Sequence, residues 1–146
     1  MNIPAGNLIL LDTNVLVDLV RNNERGRRMN SEHNLTERAE RPLFSTVTEG
    51  EILGLARVWR WGKKKLDQLH ELLNQLVRVD AGLPEVVNAY AELYAESRAS
   101  GNATGENDLW IAATAKATDA VLLTHDSDFD WMKPPLLRVL RVQDDG

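Results

Sequence analysis

The sequence predicts an α/β fold in which a central, mainly parallel sheet is sandwiched between helices. One observation is the presence of short apolar runs without polar alternation at residues 8–11 and 120–124, which are typical of strands buried on both faces. The other is that segments with helical periodicity separate such runs along the chain. Strands that alternate with helices in this way indicate a sheet whose strands run mainly parallel.

Length and composition define the broad class of protein. The chain has 146 residues, close to the usual size of one domain, about 150 residues, so we expect residues 1–146 to form a single domain. There is no cysteine, which excludes disulfides, thiolate nucleophiles and Cys-ligated metal centres. No apolar run approaches the ~20 residues of a membrane span, and the N-terminus lacks the basic region of a signal peptide. We therefore expect a cytoplasmic protein that has no membrane partner.

The first half of the chain is predicted to begin with a strand at residues 8–11. Asp12 is expected to cap a helix that continues to about Val20. The polar, arginine-rich segment 21–41 is predicted to be a loop or to contain a short helix. Residues 42–46 are predicted to form a second strand.

The helix after the second strand is expected to begin with a capping box, because Thr48 and Glu51 have the spacing of that motif. Its apolar face extends from Ile52 to Trp59 at helical spacing, which favours a core position for Trp59 over an exposed one. Gly62 separates this helix from another one that carries a leucine-rich face.

The second half of the chain is predicted to contain strands at residues 77–79, 120–124 and 137–142. Pro84 is suited to the first turn of a helix. The apolar stripe of that helix is predicted to comprise Val87, Tyr90, Leu93 and Tyr94. An alanine-rich helix is expected over residues 107–118, and residues 143–146 are expected to form a frayed tail.

Charge is distributed unevenly along the chain. The sequence contains 17 Lys and Arg against 22 Asp and Glu, a net charge of −5, which argues against a general nucleic-acid coat protein. Residues 21–65, however, contain eleven Lys and Arg against six Asp and Glu, a local balance of +5. This asymmetry indicates a basic face next to an acidic one.

Acidic residues follow the apolar strands or open the helices beside them. They are Asp12, Glu49 or Glu51, Asp108, and Asp126 or Asp128. In a parallel sheet the carboxyl ends of the strands share one edge, where ligands bind, so these carboxylates are expected to meet there. Each acid taken singly is equally well explained as a helix cap or a turn residue. Their joint occurrence at one edge favours a common site.

Clustered carboxylates raise one another's pKa unless a cation lies between them. Mg²⁺ and Mn²⁺ suit such a cluster because they take oxygen ligands, and a bound ion of this kind activates water for phosphoryl displacement. The sequence has no Gly-rich phosphate-binding loop. The three histidines, His33, His70 and His125, do not have metal-ligand spacing. The spacing of the acids therefore predicts a carboxylate site for a divalent metal.

Four blocks of sequence carry a more specific resemblance. They are LLDTNVLVDLV (10–20), STVTEGEILGLA (45–56), NDLWIAATA (107–115) and LLTHDSDF (122–129). In this order and over this length, the blocks resemble the PIN-domain ribonucleases, and most closely the VapC-type toxins of bacterial type II toxin–antitoxin pairs. The resemblance implies a PIN-like α/β/α sandwich.

The resemblance also implies roles for individual residues. The acids that match the family's catalytic residues are Asp12, Glu51, Asp108 and Asp126. The implied metal ligands are Asp12, Asp108 and Asp126, and Glu51 is implied to be a ligand or a base. The supporting polar residues are Thr13, Asn14, Thr124 and Asp128. Helical periodicity leaves Glu49 and Glu51 open and the family pattern selects Glu51, whereas Asp126 and Asp128 compete for the fourth position.

The activity that the resemblance implies is endonucleolytic cleavage of single-stranded RNA, dependent on Mg²⁺ or Mn²⁺, by a metal-activated water that leaves a 5′-phosphate. Because an acidic cavity repels RNA, binding requires cations nearby. The candidates in the basic segment are Arg57, Arg60, Lys63, Lys64 and Lys65, together with Arg21, Arg25, Arg27 and Arg28. Trp59 and Trp61 lie on either side of Arg60 and are of a type that stacks on bases.

By resemblance, the expected partners are the RNA substrate, a cognate VapB-like antitoxin that blocks the site, and a second copy of the chain in a homodimer. Two other functions remain open at this stage. A receiver-like phosphoacceptor domain also binds Mg²⁺ through acids at strand ends, but it requires paired acids after the first strand and a lysine after a late one. The other alternative is a PIN scaffold without turnover that binds RNA or protein.

Overall fold

The computed structural model describes residues 3–142. Its strands are β1 (Ile9–Leu11), β2 (Leu43–Ser45), β3 (Val77–Val79), β4 (Val121–Thr124) and β5 (Val139–Arg141). Within the described residues they form one five-stranded sheet in the order β3-β2-β1-β4-β5, and each neighbouring pair is parallel. The predicted tail at 143–146 lies outside the described residues.

Helices connect the strands of this sheet. They are α1 (Thr13–Arg21), α2 (Glu24–His33), α3 (Thr46–Val58), α4 (Lys63–Asn74), α5 (Pro84–Ser100) and α6 (Glu106–Ala117), and a short 3₁₀ turn spans Ser127–Phe129. Helix α2 occupies the middle of segment 21–41, for which the sequence allowed a loop or a short helix. The predicted α/β sandwich with a parallel central sheet is confirmed.

The sheet separates two hydrophobic layers because alternate residues of a strand face opposite sides. Leu10 of β1 packs with residues of α5 and α6, among them Leu93 and Ile111. Ile9 and Leu11 face the opposite layer, which α1, α2, α3 and α4 supply with Leu16, Met29, Ile52 and Leu69. Helices therefore cover both faces, as the uninterrupted apolar strands predict.

The register of the central strands aligns their carboxyl ends. Leu11 of β1 pairs with Leu123 of β4, and the backbone N–H of Asp12 donates to the Leu123 carbonyl at 3.0 Å. Asp12 and Thr124 are consequently adjacent although 112 positions separate them in the sequence. This edge of the sheet is where the acids were predicted to meet.

The predicted start of α3 is wrong. The helix begins at Thr46, and its N-cap is Ser45, whose side chain accepts a hydrogen bond from the Val47 N–H. Ser45 is the last residue of β2, so the strand runs directly into the helix. Thr48 is fully buried inside α3, which excludes it from the capping box expected with Glu51.

The predicted apolar stripe of α5 is confirmed at Leu93 and in part at Tyr90, which packs against the core, but is wrong at Val87 and Tyr94. The buried residues of α5 are Val86, Ala89, Leu93 and Ser97, one position before the predicted set, whereas Val87 and Tyr94 are exposed. Ala89 and Ser97 are small, and such residues allow two helices to pack closely. Tyr90 lies at the rim, where its ring stacks on that of Trp110 with a centroid separation of 3.9 Å.

No helix within residues 3–142 combines the length and the apolar character needed to cross a membrane.

Candidate active site

Asp12 is a buried carboxylate at the junction of β1 and α1, with 3% of its surface exposed. As the N-cap of α1, its Oδ1 accepts a hydrogen bond from the Thr13 N–H at 2.8 Å. Its Oδ2 accepts from the Thr124 hydroxyl at 2.7 Å and from the Asn14 side-chain amide at 3.1 Å. These donors fix the carboxylate and partly offset the cost of burying it.

Glu51 extends from α3 toward the same position. Its Oε1 accepts a hydrogen bond from the Thr13 hydroxyl at 2.7 Å, and its Oε2 accepts from the Asn107 side chain at 3.3 Å. Glu49, the alternative that periodicity allowed, instead pairs with Arg78 at 3.0 Å. Of these two glutamates, Glu51 lines the cavity that Asp12 also lines.

Asp108, Asp126 and Asp128 form a cluster of acids beside Asp12. One carboxylate oxygen from each lies within 4.8 Å of the others. Asp108 is in the first turn of α6, and the other two follow β4. The Thr124 hydroxyl accepts a hydrogen bond from the Asp126 N–H at 3.0 Å, and Asp126 Oδ1 accepts from the Asp128 N–H at 2.9 Å. Asp128, predicted as a supporting residue, therefore lies within 4.8 Å of Asp108, as Asp126 does.

Burial and mutual repulsion raise the pKa of two of these acids. The pKa of Asp108 is raised to about 7, chiefly by burial and then by the negative charges of Asp12, Asp126, Glu51 and Asp128. Burial also raises the pKa of Asp12, although its hydrogen bonds to Thr124 and Thr13 act in the opposite direction. The hydrogen-bond donors of the site therefore do not fully compensate the negative charge of its carboxylates.

These residues fit a divalent hard cation. The side chains that converge offer carboxylate oxygens, the donors that Mg²⁺ and Mn²⁺ prefer. A cation among Asp108, Asp126 and Asp128 would remove the repulsion that raises the Asp108 pKa. Asp12 lies next to this trio, with its carboxylate oriented by Thr124, Asn14 and the Thr13 N–H.

A cavity of about 350 Å³ joins the acids to a second group of side chains. Its acidic end contains Asp12, Glu51, Asp108 and Asp126, beside Thr13 and Asn14. Its other end contains Asp18, Arg21, Arg25, Trp59 and His125. The supporting residues Thr13, Asn14 and Thr124 all make hydrogen bonds to the predicted acids or to one another.

Sequence reasoning missed Asp18, a buried carboxylate in the wall of this cavity. It accepts hydrogen bonds from the Asn23 side chain at 2.8 Å and from Arg25 Nε at 2.7 Å, and His125 Nε2 lies 3.3 Å away. It thereby connects α1 to α2 and to the turn that carries Asp126. The sequence did contain a signal for this role: Asp18 lies within the apolar run VLVDLV. An acid in such a run is expected to be buried, and a buried carboxylate requires partners.

The favoured core position for Trp59 is wrong. Trp59 is the C-cap residue of α3 and 41% of its surface is exposed. The buried stripe of α3 ends at Ala56, which is 3% exposed, and Trp59 follows it at the end of the helix, in the wall of the cavity. The predicted RNA-binding residues Arg57, Arg60, Lys63 and Lys64 are also exposed, and Lys65 is half-buried.

The fold and the site together define an α/β protein whose parallel strands present clustered carboxylates in a cavity at their carboxyl edge. Comparison with known families gives the same class: residues 9–133 match the family model described as PIN domain. The chain belongs to the PIN domain family, as its sequence blocks predicted.

Named relatives align over most of their lengths. The plasmid stability protein StbB of Pseudomonas syringae pv. tomato is 34% identical over 130 residues, which cover 82% of this chain and 88% of that protein. Ribonuclease VapC1 of Haemophilus influenzae is 28% identical over 122 residues, which cover 82% of this chain and 87% of that protein.

Solved structures share the fold. The structure of VapBC2 from Rickettsia felis bound to a promoter DNA fragment superposes with a TM-score of 0.77 at 22% identity, covering 92% of this chain and 98% of the other. VapBC-1 from nontypeable Haemophilus influenzae superposes with a TM-score of 0.72 at 22% identity, covering 92% of this chain and 97% of the other.

Proposed function

We propose that this protein is a divalent-metal-dependent endoribonuclease that cleaves single-stranded RNA, and that it is the toxin of a toxin–antitoxin pair. The observation that carries the proposal is the convergence of acids from β1, α3, α6 and the β4 turn on one cavity in a PIN-domain chain. A relative of similar length is named a ribonuclease, which supports this chemistry.

Asp12, Asp108 and Asp126 would hold the ion, and Asp128 is close enough to Asp108 and Asp126 to contribute. A bound Mg²⁺ or Mn²⁺ lowers the pKa of a water ligand and stabilises negative charge on a phosphate undergoing in-line displacement. The protein's own residues position the reactants. The Thr124 hydroxyl holds Asp12 Oδ2, so that this carboxylate keeps one orientation.

Glu51 would act as the base or as a further ligand. The Thr13 hydroxyl donates to its Oε1 and Asn107 donates to its Oε2, which orients the carboxylate toward the cavity shared with Asp12. As a base, it would accept the proton of the attacking water at one of these oxygens.

The basic face supports RNA as the substrate. Exposed cations near the cavity offset the repulsion between the acids and a phosphate backbone. The predicted phosphate contacts are Arg57, Arg60, Lys63, Lys64 and Lys65. A solvent-exposed groove is lined by these lysines together with Arg60, Trp61 and Gln68.

The proposed protein partner is a VapB-like antitoxin. Solved structures with this fold are described as VapBC complexes, which supports a two-protein system here. A homodimer is the proposed state of the toxin itself. Co-expression with the product of the adjacent small reading frame, followed by purification through a tag on that product, tests the partnership; recovery of the antitoxin alone would contradict it.

The decisive test of the proposed activity is cleavage of single-stranded RNA by purified wild type with Mg²⁺, with EDTA, and with Mg²⁺ restored. Asp12→Asn is expected to abolish cleavage while retaining the fold. Asp119→Asn, which alters an exposed acid paired with Arg138, is the matched control and should cleave as wild type does. RNA binding without cleavage under any metal condition would instead favour the non-catalytic scaffold.

A further inference from the structure

The end of α3 places two tryptophans side by side. Arg60 adopts a left-handed backbone conformation with φ of 55°. The N–H of Trp61 donates to the Ala56 carbonyl at 2.9 Å, and the N–H of Arg60 donates to the Arg57 carbonyl at 3.1 Å. This is the hydrogen-bond pattern of a Schellman motif. It brings the rings of Trp59 and Trp61 to a centroid separation of 5.8 Å.

A cation lies over each of these rings. The guanidinium carbon of Arg21 is 4.4 Å from the centroid of the Trp59 ring, and Lys65 Nζ is 5.5 Å from that of Trp61. Arg21, Trp59, Trp61 and Lys65 therefore form a continuous row in which two neighbouring rings lie between two cations; we call it the Trp59 row.

The Trp59 row leads from the acids to the basic groove. Arg21 and Trp59 line the cavity that contains Asp12 and Glu51. At the other end, Trp61 and Lys65 line the groove that also contains Arg60, Lys63 and Lys64. The Trp59 row thus begins at the candidate active site with the exposed Trp59 and continues onto the basic face with Trp61, which is half-buried against the core.

This composition fits one kind of ligand. Single-stranded nucleic acid is bound by aromatic rings that stack on bases and by cations that contact phosphates, and arginine planes also stack on unpaired bases. Arg21, which lines the same cavity as the acids, adds a positive charge that offsets their repulsion of the phosphates of a bound strand. Trp59 contributes little to the core because 41% of its surface is exposed.

We propose that Trp59, together with Arg21, forms a base-binding subsite for the nucleotide next to the cleaved bond, and that the RNA strand leaves the cavity along Trp61 and Lys65. The inference rests on the proposed function, because it assumes that the strand reaching the acids is single-stranded RNA. It adds a stacking residue and a direction for the bound strand.

The test measures affinity for a short, fluorescently labelled single-stranded RNA in the Asp12→Asn background with Mg²⁺ present, so that cleavage does not deplete the probe. Trp59→Ala is expected to weaken binding by about five- to one-hundred-fold, the range for losing one stacked aromatic. Trp59→Phe keeps a ring and should recover most of this loss. Thermal melting of each variant establishes that it remains folded.

Tyr94→Ala provides a matched control. Tyr94 is 39% exposed and has Arg98 over its ring at 4.9 Å, but it lines a different cavity, beside Ser97 and Thr104. Its removal should leave RNA affinity unchanged. An equal loss in Tyr94→Ala and Trp59→Ala would overturn the assignment, because general aromatic surface would then explain the binding.

A set of probes, each with a single abasic nucleotide at a different position, distinguishes stacking from other roles of Trp59. One abasic position should weaken binding to the protein with Trp59 intact and have little further effect on Trp59→Ala. Equal sensitivity of both proteins at every position would contradict the subsite. Unchanged RNA affinity in Trp59→Ala, with loss of affinity for the antitoxin, would assign the surface to a protein partner instead.

The two proposals can fail separately. If wild type does not cleave RNA but its binding depends on Trp59 and on one base, the proposed activity fails and Trp59 remains a base-binding residue with no cleaved bond beside it. If wild type cleaves RNA and Trp59→Ala binds and cleaves as well as wild type does, the subsite fails and the activity stands.

Discussion

The Thr124 hydroxyl donates a 2.7 Å hydrogen bond to Oδ2 of Asp12, and it accepts one from the N–H of Asp126 at 3.0 Å. Thr124 is fully buried and Asp12 is 3% exposed. A single hydroxyl at the end of β4 therefore connects the acid that follows β1 to the acid that follows β4. The parallel pairing of β1 with β4 makes this possible because it aligns the two strand ends.

Replacing Thr124 with valine should destabilise the protein and impair the site. The substitution removes the donor to a buried carboxylate, for which a loss of about 1.5–3 kcal/mol in the free energy of unfolding is expected. It should also raise the pKa of Asp12 further, because the Thr124 hydrogen bond lowers that pKa. Urea denaturation and the pH profile of RNA cleavage measure the two effects.

Thr124→Ser is the control for that substitution, because it keeps the hydroxyl and removes one methyl group, worth about 0.8 kcal/mol when buried. Its cleavage profile should follow that of wild type. If the valine and serine variants have the same pH profile, the hydroxyl does not position Asp12.

The metal-free protein should become less stable as the pH rises from the ordinary Asp value of 3.8 to about 7. The folded pKa of Asp108 is higher than its unfolded pKa, so the folded state binds the proton more tightly, and the free energy of unfolding falls as that proton is lost. Mg²⁺ takes the place of the proton and should stabilise the protein most above about pH 7. Thermal melting in EDTA and in Mg²⁺ across this pH range tests the expectation.

Asp108→Asn should lose this pH dependence in EDTA, since the substitution removes the charge that makes the stability of the folded state sensitive to pH. The variant is expected to melt at a higher temperature than wild type near neutral pH and to gain little from Mg²⁺. Asp67→Asn, at an exposed position on α4, should reproduce the wild-type pattern. A pH slope that is the same in Asp108→Asn and wild type would refute the assigned cause.

Gly26→Ala should destabilise the junction of α1 and α2. A Cβ at Gly26 would lie 2.4 Å from the backbone oxygen of Asp18, so the helices would have to separate, at a cost of about 1–3 kcal/mol or more. The same movement would shift Arg25 away from Asp18. Gly54→Ala is the matched control: a Cβ there meets no atom within 4 Å, and the helix should gain about 0.5–1 kcal/mol. Denaturant midpoints that move in the same direction for both variants would contradict this packing.

RNA affinity should fall steeply with salt because phosphate contacts release counterions. Each phosphate contact to a single strand contributes ~0.7 to the slope of log affinity against log salt. Replacing Lys63, Lys64 and Lys65 together with alanine removes three such contacts and should therefore reduce the slope by about 2. Lys133→Ala removes an exposed lysine outside the basic segment and should leave the slope unchanged. An unaltered slope in the triple variant would place the RNA elsewhere.

The sheet and the position of the acids were predictable because they depend on local patterns. Runs such as residues 8–11 are apolar on both faces, which identifies a central parallel strand. Once the strands are parallel, the residue after each strand lies at the same edge. Asp12 and Asp126 were located in this way from their positions after β1 and β4, and the family resemblance supplied the choice of Glu51 over Glu49.

Features that depend on where helices end or how they pack were not predictable. Trp59 continues the periodicity of Ile52 and keeps a helical backbone conformation, yet it lies at the very end of α3, where it lines the cavity and is 41% exposed. The role of Asp18 depends on the approach of α2 at Gly26, a contact that no local pattern reveals. The buried residues of α5 are Val86, Ala89, Leu93 and Ser97, a face that depends on how α5 packs on α6 and includes the polar Ser97, which an apolar pattern does not identify.

The central claim is that acids from distant parts of the chain share a divalent cation, and calorimetric titration of Mn²⁺ or Mg²⁺ into the EDTA-stripped protein near pH 7 tests it most directly. The titration is repeated in two buffers of different ionisation enthalpy, which reveals proton release. Wild type should bind the ion and release protons, because Asp108, with a pKa of about 7, must lose its proton to bind metal. Asp108→Asn should bind more weakly and release fewer protons. Absence of binding to wild type, or identical titrations of the two proteins, would contradict the account.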